Sequence, residues 1–86
     1  MTRFTVSWRP EVQADLAEIW LVAADRREIA QAADRIDELL AKDPAHQGTE
    51  LHEGLRAIAV DPLVAYFTVS EEDRLVTVWA VRATSN

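Results

Sequence analysis

Pro62–Val69, read PLVAYFTV, is a near-continuous apolar run bounded by Asp61-Pro62 on one side and Ser70-Glu71-Glu72-Asp73-Arg74 on the other. A run this short, rich in Val, Tyr and Phe, predicts a strand covered on both faces. Two further strand-like runs flank it, Gly54–Val60 (GLRAIAV) and Arg74–Arg82 (RLVTVWAVR). Each connection is short enough for a hairpin. These runs predict an antiparallel meander with PLVAYFTV in the middle, and the residues before it have to supply its cover.

Those residues divide cleanly. Phe4–Trp8 alternates Phe4, Val6 and Trp8 with Thr5 and Ser7, which predicts a half-buried strand. Pro10 suits the first position of a helix, where its missing N–H costs nothing, and Glu11 suits the positive end of the helix dipole. Over Pro10–Ala24, residues Val12, Leu16, Ile19, Trp20 and Ala23 share one helical face. Asp25-Arg26-Arg27-Glu28 reads as a capping box that opens a second helix. Its stripe is Ile29, Ala33, Ile36 and Leu40, and it ends near Asp43-Pro44. So tight a joint predicts an antiparallel helical hairpin laid on the sheet. Ala45–Glu53 reads as a polar connection turning at Gly48. The expected fold is α+β, ordered β-α-α-β-β-β. Its antiparallel sheet, the meander plus the N-terminal strand, is covered on one face by the helices.

Size and charge narrow what such a chain can do. Its 86 residues make a single domain over 1–86, in which folding hides roughly 60–65% of the chain surface. With no cysteine there is no disulfide framework and no thiolate metal site. The N-terminus lacks a signal-peptide apolar core, and no run approaches the ~18 apolar residues of a membrane span. A cytoplasmic protein without a membrane partner is expected. The net charge of −6 is concentrated on the helices, where residues 10–43 hold nine acids and four bases. An acidic surface repels phosphate backbones, so direct DNA binding by this chain alone is not expected.

The ordered phrases VSWRPEVQADLAEIW, RIDELLAKDPAHQG and ELHEGLRAIAVDPLVAYFTVSEEDRLVTVWAV resemble the RelE/ParE toxins of bacterial type II toxin–antitoxin pairs, of the plasmid-stabilisation type. The similarity spans about residues 4–82 and rests on the ordered set rather than on one motif. It implies one of two activities. RelE-like members cut messenger RNA on the ribosome with basic and aromatic residues of the sheet, whereas ParE-like members poison DNA gyrase by protein contact. Both are held inactive by a cognate antitoxin, as a heterotetramer in some arrangements; a homodimer is the other assembly considered.

Carried over residue by residue, Arg56 stands where the family's Leu-Arg strand has its arginine. In the next strand the family's arginine position is Val64 and its tyrosine position is Phe67, with Tyr66 one step earlier on the opposite face. Cleavage by 2′-hydroxyl attack needs a base, an acid and cations on the phosphate, and valine and phenylalanine supply none of these. The resemblance therefore points nearer the ParE-like branch. An RNase with a rearranged site and an inert antitoxin-binding relative are the alternatives.

Weak catalytic candidates are Arg56, Arg82, Tyr66 and His52. Arg56 and Arg82 equally fit strand-edge arginines with stems over apolar surface. His46 and His52 lack a third ligand for a metal site, and no cofactor is implied. Asp15 with Glu18, and Asp34 with Asp37 and Glu38, fall off the apolar stripes and read as solvated helix faces. Partner-binding candidates are Trp79, Trp20, Leu21, Arg56 and Arg82, because tryptophan at the edge of a stripe can anchor a partner. In the last strand both alternating sets are apolar. One of Val76-Val78-Ala80 and Leu75-Thr77-Trp79-Val81 is therefore expected to pack on the helices and the other to be exposed or to line a partner surface.

Overall fold

The computed structural model of the chain describes residues 3–84. Its elements run β1 (Thr5–Trp8), α1 (Pro10–Val22), α2 (Arg26–Lys42), a 3₁₀ turn (Pro44–His46), β2 (Thr49–His52), β3 (Leu55–Val60), β4 (Leu63–Ser70) and β5 (Leu75–Ala83). The strands form a single five-stranded sheet in the order β1-β5-β4-β3-β2. Both helices pack on one of its faces. The core joins Val12 of α1 and Ile29, Ile36 and Leu40 of α2 to Ile58, Leu63, Phe67, Val76 and Val78. Each such side chain, fully buried, contributes about 1.5–3 kcal/mol.

The α+β architecture and the β3-β4-β5 meander match the expectation, with β4 in the middle. Two features correct it. The sheet is mixed, because β1 runs parallel to β5, pairing Val6 with Val76 and Trp8 with Val78. Hydrophobic alternation fixes which face a strand buries, but it is blind to strand direction. The second correction is β2, inside what reads as a polar connection. Thr49 pairs with Ala57 and Glu50 with Arg56. All four β2 residues are exposed, so this strand has no apolar face to announce it.

Asp25 caps α2 as expected, its Oδ1 accepting from the backbone N–H of Arg27 and Glu28 at 3.1 and 3.3 Å. The return bond from Glu28 that a full capping box requires is not among the bonds of the described residues. α1 stops at Val22 rather than Ala24, since Asp25 must leave the helical path to cap α2. Of the expected α1 stripe, Val12 is fully buried, while Trp20 remains 40% exposed.

One irregularity shapes the functional face. Tyr66 pairs with Ala80 and Phe67 with Val78, which leaves Trp79 as an extra residue in β5. Such a bulge resets which way the subsequent side chains point. Val76 and Val78 face the helices, and beyond the bulge it is Val81, not Ala80, that returns to the core. Neither alternating set therefore belongs to one face along its whole length.

Candidate functional site

The face of the sheet turned away from the helices is built by the alternate positions of four strands. Arg82 lies opposite Val64, Ala80 opposite Tyr66 and Thr77 opposite Thr68. Val64 is only 9% exposed, yet it lies outside the helix-side core. It forms the apolar floor of this face beneath its polar neighbours. Two bonds between side chains organise what stands above. Arg82 Nε donates to the Tyr66 hydroxyl at 2.8 Å, and Trp79 Nε1 donates to Thr68 Oγ1 at 2.8 Å.

Arg9, just after β1, places its guanidinium 4.7 Å from the centre of the Trp79 ring. Its Nε also meets Glu11 at 2.7 Å. The Glu11 carboxyl is held below its ordinary range, first by that bond to Arg9 and then by a bond from its own backbone. Among the described strand residues, none turned to this face is a carboxylate. In a chain with fifteen acids, that leaves two arginine–aromatic pairs on this face, with Glu11 beside Arg9. Surfaces of this kind recognise partners, since tryptophan, tyrosine and arginine are the usual interface anchors.

The other sequence candidates lie elsewhere. Arg56 points to the helix side of the sheet, opposite Phe67. Its Nε donates to the Gln47 carbonyl at 3.0 Å and its Nη2 to the Gly48 carbonyl at 3.2 Å, so it clamps the turn that leads into β2. Phe67 is fully buried. His52 pairs with Leu55 at the far edge, with β3 standing between it and Tyr66. Trp20 and Leu21 sit on the helical layer, where the Arg26 guanidinium stacks 4.6 Å from the Trp20 ring and its Nη2 bonds the Leu21 carbonyl at 3.1 Å. The structure thus brings Trp79, Tyr66 and Arg82 together and leaves Arg56, His52, Trp20 and Leu21 apart from them.

Three participants escape a reading by sequence. Thr68 and Arg9 carry no signal beyond polarity, because their partner Trp79 is fixed by the bulge. Asp37, which reads as a solvated carboxylate, accepts the Trp8 indole N–H at 3.0 Å. A tryptophan facing a helix needs an acceptor on that helix, and this need is the available clue.

Fold and face together define a small α+β domain: two helices on one side of a mixed sheet, and an aromatic and cationic surface on the other. A family model described as the ParE toxin of type II toxin–antitoxin systems matches residues 6–86, and the chain belongs to that family. No curated protein matches it closely. Among solved structures, a chain of the RelBE2 toxin–antitoxin complex from Mycobacterium tuberculosis is similar at TM-score 0.81 and 17% identity, over 100% of this chain and 97% of that one. A chain of the chromosomal ParDE system from P. aeruginosa is similar at TM-score 0.64 and 17% identity, over 95% and 97%. At these identities the two likenesses show a shared fold. Among the described residues no helix is long and apolar enough to cross a membrane.

Proposed function

We propose that this toxin acts by protein–protein contact through the open face of its sheet, on a target of the gyrase type, and that a cognate antitoxin neutralises it. The observation that carries the reading is Val64. The position that resembles the family's strand arginine holds a valine in the floor of the open face, 9% exposed, so this face lacks that cation. What remains on the open face is an anchoring set. Trp79 is 48% exposed, and Arg82 and Arg9 are each aligned by an aromatic ring.

The antitoxin part draws on the family and on the two similar structures, both of which come from toxin–antitoxin systems. Expression from an inducible promoter tests it, with and without the adjacent gene. Growth arrest relieved by that gene is the expected outcome, and unaffected growth with the chain alone removes the toxin reading in favour of an inert antitoxin-binding relative. Inhibition of supercoiling by purified DNA gyrase then tests the target.

One observation favours a second reading. The Tyr66–Arg82 bond puts a phenol and a guanidinium side by side on a face to which none of the described strand residues turns a carboxylate, which suits an RNA phosphate. Primer extension on translated messages decides between the two. Codon-positioned cuts abolished by Arg82→Ala would establish the nuclease, and their absence leaves the contact mechanism.

A further inference from the structure

The two arginines of the open face are each held beside an aromatic ring and keep nitrogens free to donate. Arg82 gives its Nε to the Tyr66 hydroxyl at 2.8 Å and its Nη1 to the Ala83 carbonyl at 3.5 Å. Its Nη2 meets no acceptor, and no carboxylate pairs with it, among the described residues. Tyr66 accepts the Arg82 bond, so its own O–H is left to donate, and none of the described residues takes it.

Arg9 has the same build with one addition. Its guanidinium lies 4.7 Å from the centre of the Trp79 ring, and its Nε already holds a carboxylate, Glu11, at 2.7 Å. Neither terminal nitrogen of Arg9 meets an acceptor among the described residues. Glu11 thus displays what an arginine fixed against an aromatic ring on this face takes up. Arg82, 6.0 Å from the centre of the Tyr66 ring, is the equivalent without its carboxylate.

Between these two positions the ground is apolar. Val64 lies opposite Arg82, and Ala80 opposite Tyr66. Trp79 and Arg82, three residues apart on β5, stand about 10 Å apart along an extended strand. The charge of the whole chain favours carboxylates over a phosphate backbone as the occupant. Residues 10–43 hold nine acids against four bases, and the net charge is −6. A polyanion meets that repulsion along its length, and two cations offset few of its phosphates. A short segment with two carboxylates carries its charge only where the arginines stand.

We infer that the open face recognises an acidic segment of its protein target, in which two carboxylates flank an apolar side chain. One carboxylate meets Arg82 Nη2 and the Tyr66 O–H in charge-assisted bonds. The other joins Arg9 beside Glu11 or in its place, and the apolar side chain settles on Val64 and Ala80 next to the Trp79 ring. The inference deepens the contact reading of this face and rests on it only for the target's identity.

The test is a titration of the ¹⁵N-labelled full chain with the synthetic, end-blocked peptide Glu-Ser-Val-Ser-Glu, whose extended form turns both glutamates and the valine to one side. Saturable shifts at Tyr66, Ala80 and Arg82 and at the Trp79 indole N–H are expected. The peptide Gln-Ser-Val-Ser-Gln should bind at least about tenfold more weakly, and Arg82→Gln should weaken the glutamate peptide about fivefold. Glu11→Gln, which frees Arg9, should tighten it about twofold, a gain that a damaged fold would not give. No saturation, equal binding of the glutamine peptide, weaker binding to Glu11→Gln, or shifts confined to other surfaces would each overturn the inference. A single-stranded RNA of about five nucleotides that moves the same signals at lower concentration would assign the face to phosphate and overturn it as well. Peptide binding at this face by a chain that leaves DNA gyrase uninhibited would keep this inference and remove the gyrase reading. Gyrase inhibition that is lost in Trp79→Ala, with no peptide bound at the face, would do the reverse.

Discussion

Trp79 and Thr68 are joined across neighbouring strands by a 2.8 Å bond from the indole N–H to the threonine hydroxyl. This bond ties the bulged residue of β5 to the neighbouring strand on the open face. The ring therefore has less side-chain freedom to lose in any contact it makes. On the proposed gyrase-type contact, Trp79→Ala should raise the concentration of chain that half-inhibits the target by more than about fivefold, or about 1 kcal/mol. Circular dichroism should show an unchanged fold, since the ring is 48% exposed. Thr68→Val, which frees the ring without removing it, should give a smaller loss. Unfolding of Trp79→Ala would place the ring in the core and defeat the reading.

Gly48 and Gly54 both have positive φ, 69° and 84°, yet their surroundings differ. A Cβ on Gly48 would lie 2.0 Å from the Ala57 carbonyl oxygen, whereas one on Gly54 would meet nothing within 4 Å. Gly54→Ala should therefore cost only the left-handed backbone penalty of about 1 kcal/mol. Gly48→Ala must also push β3 away from the turn and should cost well over about 2 kcal/mol. Urea unfolding of the two variants measures the difference. Equal losses would mean that the turn relaxes freely.

The sequence makes this fold legible wherever burial is periodic. The Ile29–Leu40 stripe is core because its apolar positions repeat with the helical period. PLVAYFTV stands out as a near-continuous apolar run, although only its Leu63, Ala65 and Phe67 side packs on the helices, and not both faces as the run suggests. What escapes is whatever burial does not encode. β2 has no buried residue, the direction of β1 leaves no trace in hydropathy, and the bulge at Trp79 hides in RLVTVWAVR because both alternating sets are apolar. The candidate site divides in the same way. Trp79, Tyr66 and Arg82 stand out by residue type, but their meeting on one face depends on that bulge and on cross-strand register. Arg56 looks identical to Arg82 in sequence and differs only in which side of the sheet its strand position faces.

Glu11 offers a check of the Arg9 geometry by pH. Its carboxyl is held low chiefly by Arg9, so the ionised form is favoured in the folded state. This contribution to stability is therefore present above the unfolded carboxylate range and is lost as pH falls through the lowered folded value. Because Glu11 is solvent-exposed, the effect should be read at the residue itself. In a carboxyl-detected NMR titration, Arg9→Ala should raise the Glu11 midpoint toward its ordinary range. The same substitution should shift the Trp79 indole signal, since it removes the cation over that ring. An unmoved Glu11 midpoint would mean that the Arg9–Glu11 pair does not persist in solution.

Arg56 and Arg82 allow a crossed test of clamp against contact. Arg56 satisfies the Gln47 and Gly48 carbonyls at 3.0 and 3.2 Å from the helix side of the sheet. Arg82 lies exposed on the open face, bonded to Tyr66. Methionine keeps much of the apolar stem at either position and removes the guanidinium. Arg56→Met should lower stability in urea by about 1–2 kcal/mol, because two carbonyls lose charge-assisted bonds in a partly buried setting. It should also speed amide exchange along β2, and leave gyrase inhibition unchanged once the folded fraction is accounted for. Arg82→Met should do the opposite, leaving stability within about 0.5 kcal/mol, as expected of an exposed side chain, while weakening inhibition. The result that would count most against the assignment is loss of inhibition by Arg56→Met at full stability. That would mean the arginine leaves its carbonyls to meet the target, and that the site extends to the helix side of the sheet.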